Sequence, residues 1–240
     1  MTLIDVTGLD HRSLNEKLRD ANGPVTLTGC CGQRFIAAGM SGPELTVEGI
    51  PGNALGAYLN GASITVDGNA QDAVGDTMNE GRIIVRGSIG DAAGYAMRGG
   101  QLFVRNNAGY RAGIHMKAYK DKVPLLIIGG TAGSFLGEYQ AGGVIIILGL
   151  GRDKQRIVGN FPCTGMHGGK LFLRCTPEEV LFPSQVTASP ASPDDLEELR
   201  QYLIPYCQVF NLDLEEILAS PFTVAVPCSS NPYKQMYVSN

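Results

Sequence analysis

The chain has no tryptophan, only three histidines among its 240 residues, and no pair of cysteines spaced as CxxC. Its six cysteines are Cys30, Cys31, Cys163, Cys175, Cys207 and Cys228. An adjacent pair such as Cys30 and Cys31 is a poor chelate for zinc or an iron–sulfur cluster. We therefore expect buried, reduced thiols and no metal site on this chain.

The sequence also lacks a concentration of positive charge and a long apolar run. Its formal net charge is −4, whereas proteins that bind nucleic acid or anionic membranes carry concentrated basic surfaces, so neither partner is expected. The longest apolar stretches, VPLLIIGG and GGVIIILGLG, are much shorter than the roughly 20 residues that span a bilayer. With no recognisable targeting segment, we expect a cytoplasmic protein.

Patterns that carry catalysis are missing as well. The string nearest to a GxSxG nucleophile motif, Gly39-Met40-Ser41-Gly42, has the wrong spacing, and no phosphate-binding glycine loop stands between a strand and a helix. Asp67 is followed 19 residues later by Arg86, which favours a surface ion pair over a catalytic carboxylate. We expect no catalytic and no cofactor-binding residue, although an activity of the chain alone stays open.

Glycine is the residue that the sequence has in excess, with 32 copies, nearly twice the usual share of about 7%. Many recur with a period of 19 residues, in GxxGxxxG triplets or partial copies of them. Glycine tolerates a left-handed backbone and the close approach of another segment, so we predict that these residues form repeated corners. The predicted corner glycines are Gly49, Gly52, Gly56, Gly68, Gly75, Gly87, Gly90, Gly94, Gly109, Gly113, Gly130, Gly133 and Gly137. We interpret Asn106 as a further left-handed corner residue.

Apolar residues follow the same period. Val47, Val66, Val85 and Val104 stand 19 residues apart, inside short segments rich in β-branched residues such as SITVDG and RIIVRG. A unit of 19 residues is too short for a helical-hairpin repeat, and it is not a multiple of the six residues that a left-handed hexapeptide helix needs. The period predicts an all-β protein, a right-handed parallel β-helix of about seven coils with short helical caps at both ends.

Two columns of equivalent positions are unusual. One, predicted to be interior, is rich in methionine and is interrupted by glutamine; it contains Met40, Leu59, Met78, Met97, Met116, Gln140 and Met166. The other is predicted to face outward but becomes apolar toward the C-terminus; it contains Thr46, Thr65, Ile84, Phe103, Ile127, Ile146 and Phe172. We expect the second column to be covered, either by the C-terminal segment, which we favour, or by a partner protein.

The ends of the chain lack the repeat, which suggests three domains. We assign 1–24 to an N-terminal strand and helix cap, 25–176 to the β-helix, and 177–240 to a helical and irregular extension. Asp10 is placed to cap the first helix, and Ser192, followed by proline, to cap a second. Between them we expect PSQVTASPASP to be a linker, and we expect a short third helix around 212–219.

Two insertions lengthen the repeat and are basic. The first contributes Lys117, Lys120 and Lys122, and the second contributes Arg152, Lys154 and Arg156. On an acidic protein such loops could contact an acidic partner subunit, but we favour the interpretation that they are ordinary solvated loops.

The glycine triplets and the segments GNAQDAVGDTMNEGRIIV, GYRAGIHMKAYKDKVP and GMHGGKLFL resemble the C-terminal GXGXG β-helix domain of the glutamate synthase large subunit, in its stand-alone archaeal-type form. The subunit of formylmethanofuran dehydrogenase that shares this repeat belongs to a sister family. Gln140, where the pattern favours methionine, and Cys163, where it favours glycine, depart from the resemblance.

The resemblance implies a non-catalytic subunit that holds a glutamine amidotransferase subunit and an FMN-binding synthase subunit together for the formation of glutamate from glutamine and 2-oxoglutarate. FMN and an iron–sulfur cluster would then lie on partner subunits, with no cofactor on this chain. A scaffold in another oxidoreductase, such as formylmethanofuran dehydrogenase, and a free-standing β-helix enzyme are the alternatives. The sequence leaves open whether the chain also forms homo-oligomers.

Overall fold

A computed structural model describes residues 2–228 of the chain. Its strands are β1 (Thr2–Asp5), β2 (Val25–Cys31), β3 (Leu45–Ile50), β4 (Asn60–Asp67), β5 (Glu80–Val85), β6 (Gln101–Val104), β7 (Leu125–Ile128), β8 (Ala141–Ile147), β9 (Gly168–Leu173), β10 (Val186–Pro190) and β11 (Thr223–Pro227). The α-helices are α1 (His11–Asp20), α2 (Pro193–Phe210) and α3 (Leu214–Leu218), and Pro177–Glu179 forms a 3-10 helix.

Strands β1 to β9 pair in chain order, each parallel to the next, so the chain winds into a parallel β-helix of about eight turns. The predicted period is also the register of the sheet, because Val47 pairs with Val66, Val66 with Val85, and Val85 with Val104. The parallel β-helix is thus confirmed. It begins earlier than the glycine repeat indicated, since β1 already stacks on β2 and helix α1 fills the connection between them.

The interior of the β-helix is a continuous apolar core. Two columns of strand residues are fully buried, one containing Val47, Val66, Val85 and Val104 and the other containing Ile64, Ile83 and Leu102. The methionine column is buried as well. Gln140 lies inside this column without exposure to solvent. Its amide nitrogen donates to the carbonyl oxygens of Gly142 and Gly143 at 3.3 and 3.1 Å, whereas its Oε1 atom has no hydrogen-bond partner.

A second core forms on the outside of the main sheet, where helix α2 packs on the apolar outward column. Phe103 and Phe172 are fully buried there, and the ring of Tyr206 meets that of Phe103 edge-on at 5.6 Å. The Tyr206 hydroxyl also donates to the carbonyl oxygen of Val104 at 2.9 Å. The prediction that the chain's own C-terminal segment covers this face is confirmed.

The predicted linker after the β-helix is wrong, because part of it is strand β10. This strand pairs antiparallel with β11, which in turn pairs antiparallel with β9 and so extends the main sheet. The turn-forming composition of PSQVTASPASP does not predict a strand. Its pairing depends on a partner more than 30 residues later in the chain. Of the predicted C-terminal extension, residues 229–240 lie outside the described part, and the division into three domains stays a prediction.

The helix caps follow the sequence signals closely. Asp10 accepts hydrogen bonds from the backbone N–H groups of Arg12 and Ser13, and Ser192 forms a capping box with Asp195 at the start of α2. Lys170 on β9 pairs with Asp195 at 3.3 Å and with Glu198 at 2.5 Å, which ties the helix to the sheet. The third helix is one turn shorter than predicted and is capped by Asp213.

Replacing Ser192 with alanine should lower the free energy of unfolding by about 1 kcal/mol, because it removes this capping box. The Ser192 hydroxyl is also the main reason that the pKa of Asp195 lies below its ordinary value of 3.8. A carboxylate with a lowered pKa in the folded state stabilises the protein above the unfolded pKa and loses that effect as the pH falls through the folded pKa. Urea titrations from pH 7 to pH 2.5 should therefore show a smaller acid-induced loss of stability in Ser192→Ala than in the wild type.

Ser189→Ala is the control, because this exposed serine makes no side-chain hydrogen bond in the described residues. An equal loss of stability in both variants would contradict the capping role of Ser192.

Candidate functional site

The turns that follow the strands contain three left-handed residues each, at alternating positions. In one turn these are Ala54, Gly56 and Tyr58, with φ angles of 64°, 64° and 58°. The other triplets are Phe35/Ala37/Gly39, Ala73/Gly75/Thr77, Ala92/Gly94/Ala96, Arg111/Gly113/His115, Phe135/Gly137/Tyr139 and Phe161/Cys163/Gly165. We refer to these segments as the left-handed turns. The two outer positions carry side chains in most turns, so the left-handed corners are not confined to glycine.

Hydrogen bonds between successive turns of the helix stabilise this backbone. The N–H of Ala54 donates forward to the carbonyl of Asp72 at 2.9 Å, that of Gly56 donates backward to Ile36 at 2.8 Å, and that of Tyr58 donates forward again. A left-handed conformation costs about 1–2 kcal/mol for a residue other than glycine. Because the N–H groups of these residues are paired with the neighbouring turns, the stack can sustain this cost.

The middle position of each turn faces the core and is glycine in five of the seven turns, and in some of these a β-carbon would have little space. A β-carbon on Gly56 would collide with the side chain of Ile83, and one on Gly113 would collide with that of Ile145. Cys163 occupies the same position with φ 59° and no exposure to solvent. Burial raises the pKa of its thiol to about 12, so the thiol stays protonated and packs as an apolar group.

Seven of the thirteen predicted corner glycines do not have a positive φ, namely Gly52, Gly68, Gly87, Gly90, Gly109, Gly130 and Gly133. Asn106 does not have one either, so its interpretation as a left-handed residue is wrong. What these seven glycines share is the close approach of the preceding turn. At Gly90, for example, a β-carbon would overlap the side-chain oxygen of Asp72.

Ladders of side-chain oxygens explain several of these close approaches. The Oδ1 atom of Asp72 accepts from the N–H of Asp91 at 2.9 Å, and the Oδ1 atom of Asp91 accepts from the N–H of Tyr110 at 2.8 Å. A parallel ladder runs from Asn69 to Ser88 and continues to Asn107 and Thr131. Sequence analysis missed these residues, although Asn53, Asp72 and Asp91 show the same 19-residue period as the glycines.

The six basic residues of the two insertions do not form one patch. The first insertion leads into the start of β7 and the second follows the end of β8. They therefore lie at opposite ends of the parallel strands. Lys122 pairs with Glu80 at 2.6 Å and Arg152 pairs with Glu179 at 2.7 Å. The hydrogen bond from Arg152 is the main cause of the lowered pKa of Glu179.

The remaining basic residues of the insertions are more accessible. Arg156 donates to Asn160 at 2.9 Å, and the Lys120 ammonium lies 5.4 Å from the ring centroid of Tyr119. Lys117 and Lys154 are exposed and make no ion pair within residues 2–228. Lys120 and Arg156 are likewise exposed and make no ion pair among the described residues, so all four cations are available to a partner.

Four of the six cysteines are buried, but Cys31 and Cys228 are exposed, so the expectation of burial is wrong for those two. All six are free thiols. Burial raises the pKa of Cys30, Cys175 and Cys207 to about 11 in each case. The described part of the chain contains no group of three or more histidine, cysteine, aspartate or glutamate residues that could hold a metal ion.

The predicted ion pair on the outer face is present, with Arg86 2.9 Å from Asp67. Both side chains are about half exposed, so the pair contributes little to stability. No helix within residues 2–228 is both long enough and apolar enough to cross a membrane.

Comparison with known proteins identifies the family of this chain. A family model described as the GXGXG motif matches residues 15–227. The chain belongs to the GXGXG motif family. An uncharacterized protein of Methanocaldococcus jannaschii is 41% identical to this GXGXG protein over 249 residues, covering 98% of this chain and 95% of the relative.

The fold of the GXGXG protein also matches a solved structure. That structure is the X-ray crystal structure of the formyltransferase/hydrolase complex from Methylorubrum extorquens in complex with methylofuran. The TM-score is 0.62 at 18% sequence identity, and the match covers 95% of this chain and 96% of the other. At this identity the match shows a shared fold.

Proposed function

We propose that this GXGXG protein is a non-catalytic subunit of a cytoplasmic multi-subunit enzyme complex, in which the rigid β-helix positions the catalytic subunits. The observation that carries the proposal is the fold match to a chain in the structure of an enzyme complex. The match extends along nearly the whole length of both chains. A rod of stacked turns suits this role because it offers a long, stiff surface to several partners at once.

Two kinds of complex are candidates. The glycine triplets resemble those of glutamate synthase, which favours a glutamine amidotransferase subunit and an FMN-binding synthase subunit as partners, with FMN and the iron–sulfur cluster on those subunits. The match to the formyltransferase/hydrolase complex favours a complex that handles formyl groups. We take the glutamate synthase-like complex as the first candidate and the formyl-handling complex as the second.

Co-expression tests the proposal and separates the candidates. The tagged chain should be produced alone, with amidotransferase and FMN-synthase proteins from the same genome, and with homologues of formyltransferase/hydrolase subunits from that genome. Stoichiometric co-elution with one set is the expected result. For the first candidate, glutamate formation from glutamine and 2-oxoglutarate should require the catalytic subunits and rise when this chain is added.

A chain that elutes alone in every combination would overturn the scaffold role. Turnover by the isolated chain would instead establish a free-standing enzyme.

A further inference from the structure

The outer positions of the left-handed turns change character along the β-helix. The first two turns include Phe35 and Tyr58, the next two hold only the small residues Ala73, Thr77, Ala92 and Ala96, and the following turns place Arg111, His115 and Tyr139 at equivalent positions. A left-handed backbone is least favourable for bulky side chains. Because small residues adopt the same backbone conformation in neighbouring turns, the fold itself does not require large side chains at these positions.

These large side chains form an ordered, exposed aromatic surface. The ring of His115 stacks on that of Tyr139 at 5.2 Å with 10° between the planes, and it meets Tyr95 edge-on at 5.8 Å. The guanidinium of Arg111 lies over the ring of Phe135 at 5.4 Å. Tyr95 and Tyr139 remain 38% and 41% exposed, so these contacts arrange the rings without burying them.

Cations flank the aromatic stack. Arg98 and Lys117 occupy equivalent positions of successive turns, since their N–H groups donate to the carbonyls of Met78 and Met97. Both side chains are exposed, and neither makes an ion pair within the described residues. Arg111 has one carboxylate nearby, Glu138 at 3.5 Å. These three cations outnumber the one carboxylate that pairs with them, on a chain whose net charge is −4.

We define the turn face as the surface formed by Tyr95, Arg98, Arg111, His115, Lys117 and Tyr139. We propose that the turn face is the docking surface for an acidic partner subunit, one that presents carboxylates to Arg98, Arg111 and Lys117 and apolar groups to the rings. The inference rests on the proposed function as a subunit of a complex. Tyrosine and arginine are enriched at the centres of protein interfaces, and opposite charges give such interfaces their specificity.

The chain offers matched controls for both parts of this surface. Tyr58 has the same left-handed position as Tyr139 and is 57% exposed, but it lies four turns away along the stack. Like Lys117, Lys154 is exposed and makes no ion pair among the described residues, but it lies in the second insertion, at the opposite end of the strands. Alanine at position 139 should be accommodated, because Ala96 already has that conformation in an equivalent position.

The test is titration calorimetry with the partner subunit identified by co-expression. Tyr139→Ala and Lys117→Glu should each weaken binding at least about tenfold, whereas Tyr58→Ala and Lys154→Glu should stay within about twofold of the wild type. Binding by the wild type should also weaken as sodium chloride rises from about 0.1 to 0.5 M, because salt screens exposed charges. Urea unfolding of each variant verifies that the fold is intact.

The outcomes separate the two proposals. If the wild-type chain binds no candidate subunit, the proposed function fails and the docking surface fails with it. If the wild type binds but Tyr139→Ala and Lys117→Glu bind equally well, only the assignment to the turn face is overturned. A loss of binding by the controls as large as that of the turn-face variants would likewise overturn it, and would place the contact elsewhere on the β-helix.

Discussion

Alanine at position 133 is expected to destabilise the protein by about 3 kcal/mol, because the added β-carbon has no space. Gly133 does not have a positive φ, so its own backbone conformation suits alanine. The new atom, however, would lie 2.7 Å from the carbonyl carbon and oxygen of Gly109 and 2.9 Å from the backbone nitrogen of Tyr110. Backbone atoms of a stacked turn cannot rotate aside as a side chain can, so two turns must separate. Urea unfolding followed by circular dichroism measures the loss.

Gly39→Ala is the matched comparison. This glycine also lies in a left-handed turn, but its φ is 70° and nothing lies within 4 Å of the position that a β-carbon would take. We expect a cost of about 1 kcal/mol, from conformation alone. If Gly133→Ala destabilised the protein by no more than Gly39→Ala, crowding between turns would not explain the glycine at position 133.

Tyr206→Ala is expected to lower the free energy of unfolding by about 3–5 kcal/mol, the usual cost of removing a buried aromatic ring. The side chain is fully buried between the sheet and α2, and its ring contacts both Phe103 and Phe210. Burial raises the pKa of its hydroxyl, which therefore stays protonated and donates to the carbonyl of Val104. Tyr206→Phe keeps the ring and should cost only about 1 kcal/mol.

Tyr202 provides the control for this prediction, because it lies one turn earlier on the same helix and is only partly buried, with its hydroxyl 3.2 Å from Glu198. Tyr202→Ala should cost about 1 kcal/mol in the same denaturation experiment. Equal effects of Tyr202→Ala and Tyr206→Ala would show that the helix covers the sheet without a specific anchor.

The stacking of the β-helix could be predicted from the sequence because each turn repeats the same environment. A core position such as Val66 has an equivalent above and below it, so the period appears directly in the order of residues. Strands β10 and β11 could not be predicted in this way. Their pairing depends on the exposed edge of β9, a tertiary feature, whereas local composition around Val186 favours turns.

The candidate site was predictable only in part. The 19-residue period identified the glycines, but it did not distinguish the left-handed Gly56 from the crowded Gly90, because both conditions select the same residue. Local preferences also argue against bulky left-handed residues such as His115 and Tyr139. The hydrogen bonds between neighbouring turns make these conformations possible, and such bonds cannot be predicted from the local sequence.

The reversal of direction at β11 has a consequence for self-association. A rod made only of parallel strands would present a growing edge onto which a second molecule could add its first strand, and so form fibres. Among residues 2–228 the edge at this end belongs to β10, which runs antiparallel to β11 and ends at Pro190, a residue with no N–H group to donate. The antiparallel pair of β10 and β11 therefore disfavours the addition of another molecule's strand at this end of the rod.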